Sequence, residues 1–154
     1  MPQLAAGAAT AGLAPAAPVC ARPQSYLSRP EAAQLRDEIA AIPREIRRAF
    51  DRRYQAWRKT WDSPGLASLS DTKSRRNSAE FAALVGLGPR ILPLLIGEIA
   101  HPQEFFALQA YEVLQPGWPA DIEADGKPVF ESEQAKAERA VKDWFRHKLG
   151  HAAP

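Results

Sequence analysis

Residues 78–115 read SAEFAALVGLGPRILPLLIGEIAHPQEFFALQAYEVLQ, and the spacing of apolar residues in this stretch decides the fold. Ser78 has the short polar side chain of a helix N-cap, and Glu80 follows where a carboxylate favours the positive end of the helix dipole. The helix it opens, Ala79 to Leu87, meets a tight corner at Gly88-Pro89. Ile91, Leu92, Leu94, Leu95, Ile96 and Ile99 then form a helix that is apolar on nearly every side, which in water requires burial between neighbours. Pro93 falls near its start, where a missing N–H need not break the helix, although a bend is compatible with it. His101-Pro102 ends this helix and opens a third, with Phe105, Phe106, Leu108, Ala110, Val113 and Leu114 at helical spacing. No segment of the chain shows sustained strand alternation, so the expected fold class is all-α.

Upstream, Ser28-Arg29-Pro30-Glu31 combines an N-cap acceptor with a carboxylate three residues on, and Pro is tolerated in the first turn. A short helix to about Ala41 follows, and Pro43 breaks it by disfavouring helical geometry at Ile42. The next segment has the cleanest amphipathic period in the chain. Ile39, Ile42, Ile46, Phe50, Tyr54, Trp57 and Trp61 step by three or four residues along one face. The other side carries Arg44, Arg47, Arg48, Arg52 and Arg53, then Arg58 and Lys59, against only Glu45 and Asp51. Asp62-Ser63-Pro64-Gly65 ends it, and a polar, extended connection is expected to Asn77.

Downstream, the prolines and glycines from Pro116 to Pro128 predict a loop. Ser132 caps a last helix, Glu133 to about Leu149, with Ala137, Ala140, Val141, Trp144 and Phe145 inward and Gly150 as its stop. The chain of 154 residues, 45% hydrophobic and 25% charged, is one domain's worth of ordinary globular sequence. We place that single domain at residues 28–150. Residues 1–27, whose first 21 carry no charge and are mostly Ala, Gly and Pro, read as a disordered tail or an over-extended start. A secretory signal would need a basic leading region, and Pro15 and Pro18 interrupt any apolar helix there. Cys20 is the only cysteine, and no stretch approaches the roughly 20 apolar residues of a membrane span, so a cytoplasmic protein is expected.

The run Leu87-Gly88-Pro89-Arg90-Ile91-Leu92-Pro93-Leu94-Leu95 resembles the second-helix signature of HEAT repeats: a Gly, then an apolar run with an early Pro. His101-Pro102 followed by Phe106 to Leu114 is similar to the corner leading into the next repeat. HEAT repeats often place Asp at that corner and Arg early in the next helix; here His101 or Gln103 and Ala107 stand in those places. The wider arrangement is similar to small bacterial HEAT-like proteins without an assigned activity, so it carries over no site residues. What the resemblance implies is a helical domain of about six helices around a HEAT-like hairpin, with the Trp-bearing helices as caps on either side.

Chemistry is sparse. No nucleophile elbow, phosphate loop or dinucleotide motif occurs, and no catalytic, cofactor or metal residue is assigned. Asp121, Glu123, Asp125 and Gly126 resemble the start of a calcium loop, but the twelfth position is Ser132 instead of Glu, and an acidic solvent loop is the better reading. His147 and His151 are spaced to share a helical face, but no H-E-x-x-H pattern is present and Gly150 intervenes, so a structural or incidental role is the better reading. Trp57, Trp61 and Trp144 belong to inner faces. Trp118, between loop prolines, either folds back as a plug or stands out as an anchor for a partner. The basic helix is the feature that points outward. Arg44, Arg47, Arg48, Arg52 and Arg53 are the candidate contacts to phosphates or to a partner, against the alternative of a solvated face offset by neighbouring acids. The expected function is a non-enzymatic protein–protein interaction or adaptor module, with a nucleic-acid-associated protein as the alternative; neither involves a membrane.

Overall fold

Pro43 separates two helices that pack differently, and the rest of the architecture follows from how the second is covered. The computed structural model describes residues 25–62, 76–118 and 131–151. Among them lie six α-helices and no strand, so the chain is all-α. Helix α1 spans Arg29–Ala41, α2 Arg44–Trp61, α3 Ala79–Val85, α4 Leu92–Ile99, α5 Leu108–Leu114 and α6 Glu133–His151. Two 3-10 segments, Pro89–Ile91 and Pro102–Ala107, lead into α4 and α5.

Local chemistry sets the ends. At Ser28 both halves of a capping box form: the Ser28 N–H donates to Glu31 Oε2 at 2.8 Å, and the Glu31 N–H reaches back to Ser28 Oγ at 3.5 Å. Burial alone would raise the Glu31 carboxyl, but bonds from Ser28 and Lys142 hold it below its ordinary value. Ser78 Oγ accepts from the Phe81 N–H at 3.1 Å and Ser132 Oγ from the Ala135 N–H at 3.2 Å. Gly88 makes the corner after α3 at φ +78°, ψ −176°, a conformation open to glycine alone at little cost. The corner turns the chain by 86° between α3 and the Pro89–Ile99 stretch.

Helix α4 is the centre. Leu95, Ile96 and Ile99 are fully buried, and α1, α5, α6 and the second 3-10 segment all pack on it. Pro93 sits in its first turn, where its missing N–H costs no hydrogen bond, and the helix runs on to Ile99. Helix α2 lies mainly against α3, and its stripe Phe50, Tyr54 and Trp57 is buried. Around it Trp57, Trp61, Phe81 and Phe106 form an aromatic cluster with centroid separations of 4.7 Å (Trp61–Phe106) to 5.8 Å (Trp57–Trp61). Helix α6 closes the other side with Ala137, Ala140, Val141, Trp144 and Phe145 inward. Among the described residues no single helix is long and apolar enough to cross a membrane.

Three expectations need correction. Helix α6 continues through Gly150 to His151, because a glycine stops a helix only where the chain turns left-handed, and Gly150 does not. The stretch after His101-Pro102 begins as 3-10 helix, with Glu104 at the non-helical φ −104°, ψ 23°, where its side chain turns inward. Tyr26 and Leu27, ahead of the expected boundary at 28, pack against the core, and the Tyr26 N–H donates to the Ala100 carbonyl at 3.0 Å. The acidic loop 121–126 and the tail 1–24 lie outside the described residues.

Candidate functional site

An α-helix advances roughly 100° and 1.5 Å per residue, so cations four apart form a slowly winding row with steps of about 6 Å. Arg44, Arg48 and Arg52 make such a row on the outer side of α2, all exposed. With Glu45 they line a shallow cleft of about 360 Å³. Arg47, half-buried on one flank of the row, joins Arg44, Arg48, Asp51, Ile39 and Leu94 around a second cleft of about 580 Å³. Its Nε is buried and has no hydrogen-bond partner among the described residues. A third hollow, about 570 Å³, lies further along the helix between Asp51, Arg52, Lys59 and Glu80.

Arg53 does not belong to this row. It lies about 100° round the helix from Arg52, and its Nη1 donates to the Ala83 carbonyl of α3 at 2.7 Å. There it satisfies an acceptor in the last turn of α3, as a cation near a helix C-terminus does. Of the five candidate arginines, four therefore share the outer surface and one ties α2 to its neighbour. Among the described residues no carboxylate lies within ion-pair distance of Arg44, Arg47, Arg48 or Arg52. A direct ion pair to a neighbouring element reaches Arg58 but not these four, while Glu80 of α3 lines the third hollow together with Arg52.

Arg58 belongs to a network that sequence reading missed. Its Nη2 lies 2.7 Å from Glu104 Oε1, and the Tyr54 hydroxyl donates to Glu104 Oε2 at 2.9 Å. Glu104 is 8% exposed, so two donors hold a buried carboxylate between α2 and the 3-10 segment. Burial, then the Glu98 and Glu104 carboxylates, push the Tyr54 hydroxyl far above its ordinary value. Glu98 of α4 stands beside the network. Burial first, then the Glu104 charge and, more weakly, Asp51, raise its carboxyl to about 7 against the opposing charge of Arg58. The signal in the sequence was Tyr54 itself, a hydroxyl on an otherwise apolar stripe that needs a buried acceptor.

Trp118 folds back onto the core, the first of the two places expected for it. It is 8% exposed and meets Tyr111 edge-on at 5.6 Å. Its Nε1 donates to Asp143 Oδ2 at 3.1 Å, and the Arg139 guanidinium stacks 4.8 Å from the ring centroid. The indole's face and its N–H are both engaged within the chain, leaving neither for a partner. Burial and the Asp143 charge push the Tyr111 hydroxyl up to about 12. Among the described residues no group of three or more His, Cys, Asp and Glu is placed to hold a metal ion.

No protein-family model, curated protein or solved structure matches this chain. The functional reading therefore rests on the α2 surface.

Proposed function

We propose that the protein is a non-enzymatic interaction module, an adaptor built on stacked helices, that docks a protein partner through the outer face of α2. One observation supports this reading above others: Arg44, Arg48 and Arg52 form a row of exposed guanidiniums with no carboxylate within ion-pair distance among the described residues. Exposed cations without an ion-pair partner suit recognition, because carboxylates on a partner can pair with them directly. The paired cations elsewhere make the contrast: Arg139 with Glu131, Lys142 with Glu31, Lys148 with Glu38 and Arg76 with Glu112. We also read residues 78–115 as a HEAT-like hairpin and the protein as cytoplasmic. The sequence pattern of Leu87 to Leu95 favours the first, and the lone cysteine favours the second.

The test is purification of the tagged chain from its source cells, beside an Arg48→Glu, Arg52→Glu double variant. A stoichiometric protein partner that is retained by the parent chain and lost from the folded variant is the expected result. Recovery of bare monomer from both counts against the reading. The same row favours a second reading, contact with nucleic-acid phosphates, since arginine matches phosphate geometry. That reading expects nucleic-acid binding that weakens steeply with salt, measured by gel shift at low and high ionic strength.

A further inference from the structure

We propose that the occupant of the α2 row is an acidic α-helix of a protein partner, with carboxylates at four-residue intervals. This rests on the reading of the α2 face as the docking surface and says what docks there. Arg44, Arg48 and Arg52 repeat at about 6 Å, the step at which a second helix presents Asp or Glu side chains at i, i+4 and i+8. Three planar forks at that repeat can each take one carboxylate.

The surroundings of the row separate this partner from a nucleic-acid strand. Glu45 lines the first cleft, Asp51 the second and third, and Glu80 the third. A phosphate backbone carries negative charge at every step, so it would meet these acids wherever it met the arginines. A helix with acids in one row can place neutral or basic residues beside Glu45, Asp51 and Glu80, and so avoids that repulsion. The second cleft also has apolar lining. Ile39 and Leu94 line it together with Arg44 and Arg48, which suits an aliphatic side chain flanking a carboxylate better than a sugar-phosphate chain.

Fluorescence anisotropy on the full chain tests this with four labelled probes: a stabilised helical peptide with Glu at i, i+4 and i+8, a scrambled peptide of the same composition, and single-stranded and duplex oligonucleotides. The row peptide should bind at least about tenfold more tightly than the scramble, and Arg48→Glu with Arg52→Glu should weaken it by about tenfold or more. A peptide with Lys in place of those Glu residues should regain binding to the double variant. Circular dichroism confirms that the variant is folded. Equal binding of row and scrambled peptides overturns the proposal. So does oligonucleotide binding that is tighter than peptide binding and lost in the variant, which leaves the α2 face in use but gives it another class of partner. If no probe binds, this proposal fails, and the α2 docking face is then decided by the purification from source cells alone.

Discussion

Glu98 makes the stability of this fold depend on pH near neutrality. Its carboxyl ionises at about 7 in the folded chain against an ordinary 4.5, so the folded state holds the proton more tightly than the unfolded one. Below about 4.5 both states are protonated and the residue costs nothing. The penalty grows as pH rises from there and is complete above about 7. Glu98→Gln should therefore stabilise the protein by about 1–2 kcal/mol at pH 8, after allowance for solvent screening, and by almost nothing at pH 4.5. Urea unfolding of both proteins at the two pH values measures the difference. Tyr54→Phe acts in the opposite sense. It leaves buried Glu104 without one of its two donors and should cost about 1–3 kcal/mol by the same measurement. Neither effect was legible in the sequence, because Glu98 and Glu104 look like ordinary helix-surface acids until the fold brings Tyr54 and Arg58 to them.

Helix α2 carries two kinds of arginine, and equivalent substitutions should separate them. Arg58→Ala strips the buried Glu104 carboxylate of its counter-charge and should destabilise by about 1–3 kcal/mol, a value tempered by the exposure of Arg58 itself. Arg48→Ala removes an exposed cation that bonds to nothing described and should stay within about 0.5 kcal/mol. Thermal unfolding of the two variants side by side is the check. The elements themselves were largely readable. The N-caps Ser28, Ser78 and Ser132, the break at Pro43 and the apolar stripe of α2 are local devices, written within a few residues of where they act. What escaped was long-range. The 3-10 start of the stretch after Pro102 follows from Glu104 turning inward toward α2, a demand set from 50 residues away. Arg53, similarly, reads as one more surface cation until α3 presents the Ala83 carbonyl to it. At the Gly88 corner the signal is local again: Gly88→Ala meets no atom within 4 Å, yet the glycine-only conformation at φ +78°, ψ −176° should cost about 1–3 kcal/mol in urea unfolding.

At the scale of the molecule, charge and core divide the helices between them. Helix α4 is surrounded, α6 is laced to α1 by Lys142–Glu31 and Lys148–Glu38, and α2 turns outward a row of cations that make no ion pair among the described residues. The amphipathic pattern of α2 told the two faces apart, but only the three-dimensional arrangement shows which of its charges are already matched. Arg139 has a different consequence. It stacks on Trp118 and also grips Glu131 through Nε and Nη2 at 3.0–3.2 Å. One guanidinium thus fastens both ends of the connection spanning residues 119–130. A single substitution, Arg139→Ala, therefore releases Trp118 and Glu131 together, so one side chain sets the order of two stretches of chain that the sequence keeps apart.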